Sequence, residues 1–146
     1  MRQFFGKFII LTVIGLIFGC TGLRDNLPSV YVDILLDLNK PEYYELNTPG
    51  NYIYINGGLA GIIVYHDLTG EYKAYDRACP YDFNLNAARV SVTDLSLGKA
   101  CDTAGCGSEF SITNEGVVLK GPAQRPLRQY KVIYYPNSNQ LEIMSY

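Results

Sequence analysis

Beyond residue 29 the apolar positions recur in short stretches, and the spacing between them is that of strands. Residues 30–37 are rich in β-branched and aliphatic side chains, and Tyr52-Ile53-Tyr54-Ile55 is a second β-prone run closed by Asn56-Gly57-Gly58. Ile62-Ile63-Val64-Tyr65 and the alternating Tyr72-Lys73-Ala74-Tyr75-Asp76 flank Leu68-Thr69-Gly70, so residues 67–71 predict a hairpin connection. Further strands are expected at 89–93, 109–112, 117–120, 130–135 and 140–144, with turns at Asn114-Glu115-Gly116 and Pro136-Asn137-Ser138-Asn139. No stretch after the N-terminal segment carries a helical stripe. Residues 35–45 hold at most one helical turn, limited by Pro41. The pattern predicts an all-β domain of about nine short strands, as stacked antiparallel sheets or a partly open barrel.

The first nineteen residues follow a different logic. Arg2 and Lys7 make a positive start, and residues 8–18 are uncharged and apolar. Eleven residues in a helix rise about 16 Å, short of a hydrocarbon core of about 30 Å. A secretory signal fits better than a membrane span, which Lys7 would interrupt. Ile17-Phe18-Gly19-Cys20 resembles a bacterial lipobox, with Phe18 bulkier than the usual occupant of its place. The resemblance implies cleavage after Gly19 and acylation of Cys20, which would hold the protein on a bilayer through its acyl chains. The expected organisation is a signal peptide at 1–19, a lipidated N-terminus and tether at 20–29, and a β domain at 30–146. The expected location is the bacterial cell envelope, on a face of the membrane that the tether does not reveal.

Composition narrows the chemistry. The chain has 146 residues, enough for one domain, and its net charge of −2 offers no basic footprint for nucleic acid. A single His excludes any site that needs a His pair. That residue, His66, sits beside Asp67 and is expected as a half-exposed strand residue. Tyr52, Tyr54, Tyr72, Tyr75, Tyr134 and Tyr135 are expected to pack their rings and wet their hydroxyls. No nucleophile–base pair, carboxylate pair in a motif or phosphate-binding Gly loop stands out, so no enzymatic activity is expected. The four Cys are therefore the candidates for chemistry, and the lipobox takes one of them.

Two segments carry the other three. The strand at 72–76 leads into Arg77-Ala78-Cys79-Pro80-Tyr81-Asp82. The second segment reads Cys101-Asp102-Thr103-Ala104-Gly105-Cys106-Gly107-Ser108-Glu109-Phe110, followed by Gly116, Gly121-Pro122-Ala123, Leu127 and Tyr130. This order resembles the Rieske domain over about residues 30–144, most sharply over 79–130. That family carries Cys-x-His in one loop and Cys-x-x-His-Gly-Ser-x-Phe in the other, and clamps a 2Fe–2S cluster with two Cys on one iron and two His on the other. Here Cys79 stands at the first cysteine place. Tyr81 stands at the first His place and Cys106 at the second. Thr103 falls at the second cysteine place unless a two-residue insertion brings in Cys101. Ser108 is retained, which in the family donates a hydrogen bond to a cluster sulfur.

The resemblance thus implies a Rieske-like frame without the His₂Cys₂ ligands. Three thiols admit one disulfide and one free thiol. A Cys79–Cys106 bridge would join the two loops, adding about 3–4 kcal/mol by chain entropy, and a Cys101–Cys106 bridge would close a small loop. They also admit a metal, zinc or an atypical 2Fe–2S cluster, held by Cys79, Cys101 and Cys106, with Tyr81, Asp82 or Asp102 supplying oxygen. The leading expectation is an envelope lipoprotein, anchored through Cys20, whose Rieske-like domain has no cofactor and acts as a binding or structural module, with an envelope protein as a possible partner. The alternative is an electron carrier with an atypical cluster or another metal bound by the cysteines. A thiol redox protein using Cys101 and Cys106 is a third reading, weakened by the lack of C-x-x-C.

Overall fold

A computed structural model describes residues 27–84 and 89–146. The signal segment, Cys20 and most of the tether lie outside these residues. Among the described residues ten strands form: β1 (Asp33–Asp37), β2 (Tyr52–Ile55), β3 (Ile62–His66), β4 (Tyr72–Asp76), β5 (Ser91–Asp94), β6 (Lys99–Cys101), β7 (Glu109–Ser111), β8 (Val118–Lys120), β9 (Gln129–Tyr135) and β10 (Gln140–Met144). They make a six-stranded sheet in the order β1-β10-β9-β4-β3-β2 and a four-stranded sheet in the order β5-β6-β7-β8, with antiparallel neighbours throughout. The all-β expectation holds. The strand the pattern did not reveal is β6, whose three residues Lys-Ala-Cys are too few to alternate visibly. Among the described residues one short 3-10 helix covers Pro41–Asn47. Pro41 opens it rather than limiting it, because the first helical residue needs no N–H partner.

Strand β3 explains how one sheet feeds two cores. All five of its residues are buried, and alternation sends them to opposite faces. Ile62 and Val64 join Leu36, Leu38, Leu46, Ala74, Leu141 and Ile143 in the first core. Ile63 and Tyr65 join Tyr75, Val90, Ala100, Phe110, Ile112, Ala123 and Leu127 in the second, which the small sheet closes. Cys79 is fully buried in that second core, with Cys106 packed partly buried against it. The two cysteine segments therefore rest on the same apolar floor.

Two polar groups organise the frame. Asp76, at the end of β4, is fully buried. It accepts hydrogen bonds from the N–H groups of Leu59, Ala60 and Ala78 and from the Tyr130 hydroxyl. It ties together the β2–β3 turn, the start of the first cysteine loop and β9. His66 is buried, not half-exposed. Its ring stacks on Tyr72, with centroids 4.1 Å apart, and its Nδ1 lies 2.7 Å from the Leu46 carbonyl, which fastens the 3-10 helix to the sheet.

Candidate functional site

The first loop leaves β4 at Asp76 and carries Cys79, Tyr81 and Asp82. The second runs between β6 and β7 and is closed on itself: the Gly107 N–H donates to the Asp102 carbonyl at 2.9 Å, and the Asp102 N–H donates to the Ser108 carbonyl at 3.0 Å. Gly107 has φ of 73°, a left-handed conformation that favours glycine directly after Cys106. Within this loop the Asp102 carboxylate accepts from the N–H groups of Gly105 and Cys106.

The loops bring four ligand-type side chains together. The Cys79 and Cys106 sulfurs, an Asp82 oxygen and an Asp102 oxygen all lie within 4.8 Å of one another. The two sulfurs are 3.5 Å apart. Gly105 is what lets the carboxylates meet, since a Cβ there would lie 2.4 Å from Asp102 Oδ2 and 2.6 Å from Asp82 Oδ2. Asp82 Oδ1 is buried with no hydrogen-bond partner. The Ser108 hydroxyl lies 2.8 Å from Cys106 Sγ and accepts from the Ala123 N–H at 2.9 Å, so the Gly121-Pro122-Ala123 segment is pinned to the site.

Burial dominates the electrostatics. It pushes the Cys79 thiol well above its ordinary range, while backbone N–H groups of Tyr81 and Asp82 facing the sulfur work in the opposite direction. The Asp102 carboxyl is raised by burial and then by its hydrogen bond to Asp82, because two carboxylates in one dry site resist ionising together.

The sequence-derived candidates divide clearly. Cys79 and Cys106 come together with Asp82 and Asp102, and Ser108 supports Cys106. Cys101 does not join this group. It ends β6, where alternation sends Ala100 into the second core and turns Cys101 to the other face, opposite Ser91 and Glu109. There burial and Glu109 raise its thiol. Tyr81 is 60 % exposed. The expected disulfide is not formed, since Cys79, Cys101 and Cys106 are all free. Asp76 and Gly105 were not singled out from the sequence. Gly105, set between Asp102 and Cys106, was the legible signal of the two.

The architecture matches solved structures. The cyanobacterial plasma membrane Rieske protein PetC3 from Synechocystis PCC 6803 aligns with a TM-score of 0.50 at 24% identity, over 79% of this chain and 98% of that one. The ferredoxin of carbazole 1,9a-dioxygenase from Nocardioides aromaticivorans IC177 aligns with a TM-score of 0.51 at 15% identity, over 81% of this chain and all of that one, 100%. The fold is Rieske-like. No protein-family model and no curated protein matches the chain. The residues present do not fit the His₂Cys₂ cluster of the Rieske domain. The only imidazole, that of His66 in β3, lies against the Leu46 carbonyl, and the loops that bring Cys79 and Cys106 together contain no His.

Proposed function

We propose that this protein is a cell-envelope lipoprotein, anchored to a membrane through acylated Cys20, whose Rieske-like domain has given up the His₂Cys₂ cluster and serves as a binding or structural module. The compactness of the ligand group supports this reading. Four donors within 4.8 Å of one another make a group of the size that one ion takes. A two-iron cluster needs its ligand pairs on opposite sides of a sulfide-bridged core, with imidazoles on one iron to reach the Rieske potential. The likeness to a Rieske protein and a ferredoxin extends to the frame, and fold alone does not carry electron transfer over to this chain.

The test uses the full-length chain, produced anaerobically in a cluster-competent host and purified in detergent. The expected protein is colourless, without acid-labile sulfide. Stoichiometric iron and sulfide with visible absorption would overturn the reading in favour of an electron carrier with an atypical cluster. The anchor is tested separately by incorporation of labelled fatty acid, which Cys20→Ala should abolish. Labelling that persists in Cys20→Ala refutes the lipid assignment.

A further inference from the structure

We propose that Cys79, Asp82, Asp102 and Cys106 form a site for a single zinc ion that clamps the two loops together. The inference rests on the cluster-free reading above and gives it a ligand. Its first support is size. Zinc bonds of about 2.3 Å to sulfur and 2.0–2.2 Å to oxygen place tetrahedral ligands about 3.3–3.8 Å apart. The two sulfurs already stand at 3.5 Å, and the remaining donors lie within 4.8 Å, so small side-chain rotations complete the sphere.

Donor chemistry selects the metal. Two thiolates are too soft a pair for magnesium or calcium, and tetrahedral S₂O₂ suits an ion without geometric preference of its own. Two thiolates and two carboxylates carry the same formal charge as the four thiolates of a common structural zinc site. Four protein ligands leave no open position, which makes the site structural rather than catalytic.

Three further features fit a bound cation. Asp82 Oδ1 is buried and has no hydrogen-bond partner. Gly105 leaves open the space where the two carboxylates converge. Backbone N–H groups of Tyr81 and Asp82 pair with the Cys79 sulfur and the Ser108 hydroxyl with that of Cys106, contacts that would orient bound thiolates. The ion would join a loop leaving the large sheet to a loop of the small one, directly above the core they share.

The test is metal analysis of the full-length chain purified in detergent under anaerobic conditions, followed by chelation and reconstitution with zinc alone or cobalt(II) alone. The expected result is one zinc per chain, with cobalt giving sulfur-to-metal charge transfer and intense tetrahedral bands. Cys106→Ser and Asp102→Asn should each weaken zinc binding at least tenfold while circular dichroism shows the β fold retained, and Cys101→Ser should leave it unchanged. Cys79 is rooted in the core, so its sulfur is read without mutating it, from a charge-transfer intensity of two thiolates in the unmutated cobalt protein and of one in Cys106→Ser. A chain that binds no zinc, or one that keeps unchanged affinity in Cys106→Ser or loses it in Cys101→Ser, overturns the zinc site and leaves the cluster-free reading standing. Stoichiometric iron and sulfide overturn both.

Discussion

Asp76 offers the sharpest test of how the frame is held. Its Oδ2 accepts from the Leu59 N–H and the Tyr130 hydroxyl, both at 2.6 Å, and its Oδ1 from Ala60 N–H at 3.1 Å and Ala78 N–H at 2.8 Å. Every acceptor position is thus met by a donor. In Asp76→Asn, either orientation of the amide turns its NH₂ group toward two of those donors. Hydrogen bonds to a charged group contribute about 1.5–3 kcal/mol each, and a stranded buried donor costs about 1–3 kcal/mol. Allowing for non-additivity, the substitution should cost roughly 3–5 kcal/mol. At about 4 °C per kcal/mol, the melting temperature should fall by about 12–20 °C. Tyr130→Phe leaves three donors in place and should cost about 1–2 kcal/mol. Added to Asp76→Asn it should cost less than it does alone, since the hydroxyl then meets a neutral amide instead of a carboxylate. Urea denaturation followed by far-UV circular dichroism gives all four free energies. An Asp76→Asn variant within about 0.5 kcal/mol of the unmutated protein, or additive costs in the double variant, would refute the assignment.

Three other outcomes follow from the same contacts. Ser108→Ala removes the hydroxyl beside Cys106 Sγ and strands the Ala123 N–H, so it should destabilise the domain by about 1–3 kcal/mol in urea titrations; no change would show the segment held by other means. Gly105→Ala should weaken zinc binding roughly 10–100-fold in competition with a chromophoric chelator, because its Cβ displaces both carboxylates; unchanged affinity would count against their role as ligands. Asp67 is held below the usual carboxylate range, first by the Lys73 ammonium and then by the Thr69 N–H, so its stabilising contribution is complete above about pH 4 and is lost as the pH falls through its folded value. The stability difference between the unmutated protein and Asp67→Asn should therefore shrink in denaturation series run from pH 6 toward pH 2, and a difference constant across that range would refute the ion pair's role.

The frame was legible because strands announce themselves by period and turn chemistry. The flanks of the 67–71 hairpin and the paired β9 and β10 are clear for this reason. What the pattern missed was short or local. Three residues in β6 carry too little alternation to be read, and missing β6 misplaces Cys101, since a cysteine taken as part of a loop is free to reach the site and one on a strand is bound to a face. In the sequence Asp76 is one polar position of an alternating strand. Its weight comes from donors as distant in sequence as Tyr130, which no local pattern holds. In the sequence His66 stands at a strand end, where half-exposure is the expectation. The buried contact with Leu46 requires the 3-10 helix to fold back over that end, a tertiary event.

The site itself was half legible, and the half that was not has a physical cause. Counting thiols and imidazoles was enough to separate the Rieske-like frame from its usual ligands, because ligand identity is a property of single positions. Which donors meet is a property of loop geometry. Asp82 and Asp102 were two oxygen candidates among three, and their meeting depends on Gly105 having no Cβ and on the closed 102–108 loop turning Asp102 inward while Thr103 stays exposed. The frame and the donor set are thus physically separable in this chain. Asp76 anchors the start of the first loop through the Ala78 N–H, and Ser108 anchors the end of the second through the Ala123 N–H. A change of ligands then needs no change of fold: Tyr81 and Cys106 stand at the places that the resemblance reserves for imidazoles, and the carboxylates that join Cys79 and Cys106 come from the other positions Asp82 and Asp102.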